Sequence, residues 1–148
     1  METKEQIIQM LKGLFTVCRT SEVGYRAAAE AMEGNTTREL LKSYADQRRE
    51  FAEELQGEIR FHSNADFQAD PPADSWKEIY EAAHSGNQQE IILACERAES
   101  AMLRVYKNAL AKRIPWDVET VLAHQYSDIK KAYYFISALE LFSNEFVV

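Results

Sequence analysis

The chain has 148 residues, a net charge of −7, and only 5 glycines and 3 prolines. Proteins contain on average about 7% glycine and 5% proline, so turn residues are too scarce here for a β-sandwich, a barrel or a glycine-loop nucleotide fold. The acidic charge opposes binding to nucleic acids and anionic membranes, and no stretch approaches the ~18 apolar residues of a membrane span. Two cysteines do not make a disulfide framework. We therefore predict an all-α, cytoplasmic protein with one domain over residues 1–148.

The first two predicted helices cover residues 3–33 and 37–63. Each carries apolar residues at alternating steps of four and three, which is typical of the seam of an antiparallel helix pair. Gly34 separates the two helices, and Thr36 with Glu39 predicts a capping box at the start of the second. The first seam comprises Ile7, Leu11, Leu14, Cys18, Ser21, Tyr25, Ala28 and Met32, and the second comprises Leu41, Tyr44, Arg48, Phe51, Leu55, Glu58 and His62.

A long connection over residues 64–87 follows. Within it, Ser75 with Glu78 predicts the start of a short helix over 75–84. The apolar residues of this short helix are Trp76, Ile79, Tyr80 and Ala83. The connection is long enough to run the whole length of the second helix, about 40 Å. An up-down-up-down bundle, the alternative, would hold the same segment as a surface excursion.

The last two predicted helices cover residues 88–112 and 115–146. Asn87 can cap the third helix, and Pro115 suits the first turn of the fourth. The third seam comprises Ile91 or Ile92, Cys95, Ala98 or Glu99, Met102, Val105 or Tyr106, and Ala109. The fourth comprises Val118, Leu122, Gln125, Ile129, Ala132, Ile136 and Leu139. Both hairpins have short joints, so the sequence predicts two antiparallel hairpins joined by a long crossover that carries a short helix. This is the arrangement of a ferritin-like four-helix bundle.

Carboxylates beside the seams are candidate metal ligands. One lies on each long helix, and a further one follows on the third: Glu22, Glu54, Glu96, Glu99 and Asp128. Helical bundles bind iron or manganese at mid-length with such hard oxygen donors, normally together with Glu-x-x-His motifs. This chain has no Glu-x-x-His motif, so a site here would use carboxylates alone. Charges that flank a seam are more commonly solvated or ion-paired, and we favour that interpretation.

Other polar or reactive residues also lie on the seams. Arg48 occupies a seam position of the second helix and is level with Glu22 across the first hairpin. The spacing therefore predicts a structural ion pair between Arg48 and Glu22. Cys18 and Cys95 lie on apolar faces and are predicted to be buried small hydrophobic residues.

The three histidines are scattered over three segments, which does not favour a zinc site. His62 closes the second helix one turn after Glu58, at a helix end that favours positive charge. His84 is predicted to be exposed. His124 precedes Asp128 by one turn, and we interpret this pair as a surface contact rather than a metal site.

The C-terminal helix carries more apolar residues than one face can bury. They are Tyr133, Tyr134, Phe135, Ile136, Phe142, Phe146, Val147 and Val148. They could pack on the short helix with Trp76, or they could form the interface of a homo-oligomer. The sequence does not decide between these two alternatives.

Three segments suggest a family. GYRAAAE at 24–30, RREFAEEL at 48–55 and ACERAES at 94–100 lie in this order on three helices. With Trp76 in the crossover and Gln125 in the last helix, they resemble a bacterial family of ferritin-like bundle proteins, domain-of-unknown-function family 2383. The resemblance runs from about residue 4 to residue 140. It implies a ferritin-like bundle with a short helix in the crossover. It does not imply an activity, since the family has none assigned. It directs attention to Tyr25, Glu30, Phe51, Glu54, Cys95, Glu96, Glu99 and Gln125.

These observations lead to two functional hypotheses. The first is a non-catalytic or weakly metal-binding cytoplasmic stress or interaction protein, without catalytic or cofactor-binding residues. No G-x-S-x-G, phosphate-binding glycine loop or Cys-x-x-Cys motif is present. The alternative is a dinuclear iron or manganese site with oxidase or iron-handling activity. Neither nucleic acid nor a membrane is expected as a partner.

Overall fold

The computed structural model describes the backbone of residues 1–72 and 77–146, and the side chains in these ranges up to Leu141. Within them the protein is all-α, as predicted, with five helices and no strand. The helices are α1 (Lys4–Ala31), α2 (Asn35–Ser63), α3 (Lys77–Ser85), α4 (Gln88–Leu110) and α5 (Trp116–Phe146). Several predicted features lie outside the described residues. They are Ser75 and Trp76 of the short helix, Val147, Val148, and the side chains of Phe142 and Phe146.

Side chains close the N-terminal ends of α1 and α4. Thr3 forms a capping box with Gln6, because the Gln6 N–H donates to Thr3 Oγ1 at 3.1 Å and the Thr3 N–H donates to Gln6 Oε1 at 2.8 Å. At α4, Asn87 Oδ1 accepts from the N–H groups of Gln89 and Glu90 at 3.1 and 3.2 Å. The predicted Asn87 cap is therefore confirmed.

The predicted capping box of α2 is wrong. Gly34 is the N-cap residue and makes no side-chain cap bond, and Thr36 already lies inside the helix. An N-cap side chain needs an extended backbone, and the chain reverses so quickly after α1 that α2 has begun before Thr36. The turn is held instead by Arg38, whose guanidinium donates to the Met32 carbonyl at 2.5 and 3.1 Å.

The four long helices pack in a defined order. α1 packs on α2 and α4 packs on α5, while α1 also contacts α4 and α2 also contacts α5. At the end of α1, the Ala31 carbonyl accepts from Gln88 at the start of α4, and His62 at the end of α2 lies 2.9 Å from Asp117 at the start of α5. Both of these helix pairs are therefore antiparallel. As a result α2 and α4 run in the same direction, and the connection between them returns along the length of the helices.

The first part of that connection crosses α1. Phe67 packs edge-on against Phe15, with 5.4 Å between the ring centroids, and Lys12 Nζ lies 5.1 Å from the centre of the Phe67 ring. The Phe67 N–H donates to the Gln56 side chain at 3.2 Å. These contacts anchor the segment on the first hairpin. Beyond the connection, α3 packs on α1 and α4.

The predicted seams form the core, which consists of two apolar clusters. One contains Leu11, Leu14, Phe51, Leu55, Met102, Tyr106, Leu122 and Ile129, and the other contains Tyr25, Ala28, Leu41, Ile91, Cys95 and Ile136. At two α4 positions with alternatives, Glu99 and Tyr106 are buried, whereas Ala98 and Val105 are exposed because α4 turns them outward. Within the described residues, no helix combines the length and the apolar character that crossing a membrane requires.

Candidate functional site

Arg48 and Glu99 form a buried ion pair between the two apolar clusters. Arg48 Nη1 donates to Glu99 Oε1 at 2.5 Å and Arg48 Nη2 donates to Glu99 Oε2 at 2.8 Å, and the two side chains are 0% and 1% exposed. Arg48 Nη1 also donates to Ser21 Oγ at 3.1 Å, and Arg48 Nε donates to Gln47 Oε1 at 3.2 Å. We call Arg48 and Glu99 the central ion pair. Its two-fold hydrogen bonding is the geometry in which a guanidinium binds a carboxylate most strongly.

Two aromatic rings lie beside this pair. The Arg48 guanidinium carbon is 5.4 Å from the centre of the Tyr25 ring and 5.8 Å from that of the Phe51 ring. Burial by itself lowers the pKa of Arg48, but the charge and hydrogen bonds of Glu99 outweigh it and raise the pKa above its ordinary value. Burial raises the pKa of Tyr25, and the charge of Glu99 raises it further. Glu99 lies near enough to the Tyr25 hydroxyl to raise its pKa as a hydrogen-bond acceptor as well, but among the described residues the hydroxyl makes no hydrogen bond of good geometry.

A second chain of polar groups lies in the same layer. The Cys18 Sγ is 3.3 Å from the Tyr106 hydroxyl, which donates to Gln125 Oε1 at 2.6 Å. Gln125 Nε2 donates to the Phe51 carbonyl at 3.3 Å. Burial raises the pKa of Cys18 to about 12, and likewise that of Cys95, so both thiols stay neutral. The predicted burial of both cysteines is confirmed, since both are free and fully buried.

The predicted ion pair between Arg48 and Glu22 is wrong. Glu22 is bound on its own helix by Arg19 and by Arg26, the latter at 3.2 Å. Arg48 points across the core to Glu99 on α4, a helix whose backbone does not lie next to that of α2 within the described residues. A side chain at the middle of a seam faces the centre of the core, so a long arginine reaches the opposite helix rather than the adjacent one.

The remaining carboxylate candidates are separate from one another. Glu54 is exposed, with its Oε1 3.5 Å from Gln125 Nε2. Glu96 is half-buried beside Glu140 and raises the pKa of that carboxyl. Asp128 lies near Lys131 and His124, at 3.9 and 3.5 Å. In the part of the chain that the structure describes, no three of the five candidates bring ligand atoms together.

A different group of ligands does converge, where the end of α2 meets the start of α5. The His62 Nε2 atom lies 2.9 Å from Asp117 Oδ2 and 3.7 Å from Glu58 Oε2. We call these three residues the α2–α5 cluster. The sequence placed Glu58 beside His62 but did not bring Asp117 to them. The predicted crossover could have indicated this contact, because it places the start of the last helix, which carries Asp117, next to the end of the second helix, which carries Glu58 and His62.

The two carboxyl groups of the α2–α5 cluster have pKa values shifted in opposite directions. Burial raises the pKa of Glu58 to about 7, and the hydrogen bond and charge of Asp117 contribute to this, against the opposing charge of His62. For Asp117, partial burial raises the pKa, but hydrogen bonds from Glu58 and His62 outweigh it and lower the pKa. Near neutral pH the two carboxyl groups therefore share a proton, and the arrangement can hold either a proton or a cation.

The protein is therefore an all-α protein in which the central ion pair lies between the two apolar clusters of the core. The family model for a domain of unknown function, DUF2383, matches residues 6–112. The chain therefore belongs to the DUF2383 family. The match includes the central ion pair, Glu58 and His62, and ends before Asp117. No curated protein matches the sequence.

Proposed function

We propose that this protein is a ferritin-like four-helix bundle that acts as a non-catalytic interaction protein, with the central ion pair in place of a metal centre. Two features of the packing support the bundle arrangement. The helices α2 and α4 run in the same direction, and the segment between them crosses α1. Two hairpins joined by one long crossover have this geometry. The single domain over residues 1–148 is part of this proposal.

The observation that carries the proposal is the position of Arg48. It lies at the middle of α2 and is 0% exposed, at the level where helical bundles of this type bind metal ions. A fixed positive charge at that level repels a divalent cation. Both carboxylate oxygens of Glu99 are already bound by the guanidinium.

The alternative, a dinuclear iron or manganese centre, would require Glu99 to leave Arg48. A buried guanidinium without its partner costs several kcal/mol, typically about 3–5. The other candidate ligands would also have to move inward, because Glu54 is exposed and Glu22 is bound by two arginines. The energetic balance therefore favours the bundle without a central metal.

Metal analysis of protein purified without a chelating tag tests this proposal. We expect the iron and manganese content not to exceed one ion per chain after incubation with either ion. We also expect Fe(II) oxidation at the rate of buffer alone, both for the natural protein and for Glu99→Gln. Two iron or manganese ions per chain, lost in Glu99→Gln and in Glu54→Gln, would overturn the proposal.

The interaction that we propose is self-association through α5. Tyr134 and Leu141 are 63% and 66% exposed, and they lie with Ala138 at steps of four and three on the outer side of the helix. This spacing is typical of a helix that packs on another helix. We expect light scattering to give an oligomer for the natural chain and a monomer for Tyr134→Lys. A monomer at high concentration for the natural chain would contradict self-association.

A further inference from the structure

The α2–α5 cluster has the ligand types and the geometry of a metal site. One nitrogen of His62 and one oxygen each of Glu58 and Asp117 all lie within 4.8 Å of one another. A tetrahedral ion with bonds of about 2.0–2.2 Å separates its ligands by about 3.3–3.6 Å. The distances from His62 Nε2, 2.9 Å to Asp117 and 3.7 Å to Glu58, bracket that range. An ion could therefore bind between these atoms after small movements of the side chains.

The helices hold the three ligands in place. Glu58 and His62 are one turn apart on α2, so they share a face, and Asp117 lies in the first turn of α5. The side chains of His62 and Glu58 are 15% and 17% exposed, whereas that of Asp117 is 38% exposed. The cluster is thus half enclosed and open on the Asp117 side, where an ion could enter and a water could complete its coordination.

The charges of the cluster are not balanced by protein groups. Within the described residues, neither Glu58 nor Asp117 has a lysine or arginine nitrogen within 4.0 Å, and His62 is the basic side chain that both of them meet. The carboxylates of Glu22 and Glu99, in contrast, are bound by arginines. The C-terminal end of α2 favours positive charge, and the N-terminal end of α5 favours the negative charge of Asp117.

We propose that Glu58, His62 and Asp117 bind one divalent first-row transition-metal ion, which joins the end of α2 to the start of α5. One imidazole nitrogen with two carboxylate oxygens suits Zn²⁺, Mn²⁺ or Fe²⁺ better than Mg²⁺ or Ca²⁺, which prefer oxygen alone. The two α2 ligands, Glu58 and His62, lie about 15 and about 21 Å along the helix from Arg48. The site therefore neither uses nor disturbs the central ion pair.

Titration with Zn²⁺ tests the site, using the whole chain purified without a histidine tag and stripped with a chelator. We expect one Zn²⁺ per chain by calorimetry. At a free Zn²⁺ concentration about 100 times the dissociation constant, the Tm should rise by about 5–10 °C. His62→Gln and Asp117→Asn should each weaken binding at least about tenfold and remove most of the Tm shift.

His124 and Asp128 provide a matched control. They form a similar pair one turn apart on α5, at 3.5 Å, and no third ligand from another helix joins them within the described part of the chain. His124→Gln should bind Zn²⁺ as the natural chain does, and circular dichroism should show unchanged helix content for every variant.

Three outcomes would overturn the site. They are a folded natural chain that does not bind Zn²⁺, equal affinity for His62→Gln, and loss of binding in His124→Gln. None of them bears on the proposed function, which concerns a two-ion centre at Glu99. Conversely, two ions per chain lost in Glu99→Gln would overturn that function and leave this site intact.

Discussion

The central ion pair and the α2–α5 cluster both contain charged side chains from two helices, but they differ in burial and in charge balance. Arg48 and Glu99 are 0% and 1% exposed, and each charge is matched by its partner through two hydrogen bonds. In the α2–α5 cluster, two carboxylates share one histidine, and Asp117 remains 38% exposed. The first group is closed and neutral overall, whereas the second is open and acidic.

This difference shows which polar group of a helical protein is available for binding. A buried ion pair whose hydrogen bonds are already made gains nothing from a ligand, because the ligand must first break them. A half-exposed group with surplus negative charge gains from a proton or a cation. The central ion pair therefore serves the fold, and the α2–α5 cluster is the place to look for a ligand.

Breaking the central ion pair should have the largest effect. Arg48→Met and Glu99→Gln should each lower the free energy of unfolding by about 3–5 kcal/mol, because each leaves a buried charge without its partner. The double variant Arg48→Met with Glu99→Leu should recover most of that loss, since no buried charge remains. Urea denaturation measures all three. Arg49→Met, at the exposed neighbouring position, is the control and should change stability by less than about 0.5 kcal/mol. A loss below about 1 kcal/mol for Arg48→Met would contradict a structural role.

Removing single hydroxyl groups from the same layer should have an intermediate effect. Tyr106→Phe removes the donor to Gln125 Oε1 and should cost about 1–3 kcal/mol of unfolding free energy. Tyr25→Phe removes a buried hydroxyl without a partner of good geometry, so it should be neutral or slightly stabilising. The two tyrosines are matched controls for each other in the same denaturation experiment. Equal losses for both would mean that Tyr25 is bonded and that the layer is arranged differently.

The smallest effect should come from pH at the α2–α5 cluster. Because the pKa of Glu58 is raised to about 7 in the folded protein, the folded state keeps a proton that the unfolded chain releases above its ordinary pKa of 4.5. The Glu58 contribution to stability is therefore present below about pH 4.5 and is lost as the pH rises to about 7. Because the pKa of Asp117 is lowered, its contribution to stability is present above its ordinary pKa of 3.8 and is lost only at lower pH, outside this interval.

Glu58→Gln removes this titration and keeps a donor for Asp117. With a chelator present, Glu58→Gln should gain stability relative to the natural chain between about pH 4.5 and pH 7. The gain should stay below about 1 kcal/mol because the group is partly solvated. Thermal unfolding across that interval measures the difference. A constant difference between the two chains would show that Glu58 titrates normally.

Local spacing predicted much of the core. Leu11, Leu122 and Ile136 are buried because steps of three and four place them on one face of a helix, whatever that face contacts. The cap by Asn87 and the burial of Cys18 could be predicted for the same reason, since each depends on residues nearby in the chain. That Thr36 does not cap α2 could not be predicted, because the tightness of the preceding turn decided where α2 begins.

The amino-acid sequence by itself determined the helices, their inward faces and the family. A chain with few glycines and prolines has few turns between helices, and the helical period of 3.6 residues places the apolar residues on one side of each helix. Only the tertiary structure decided that Arg48 meets Glu99 rather than Glu22, and that Asp117 joins Glu58 and His62. The physical reason is that helical spacing defines a face, whereas the partner on the other side depends on which helices become neighbours and in which direction they run.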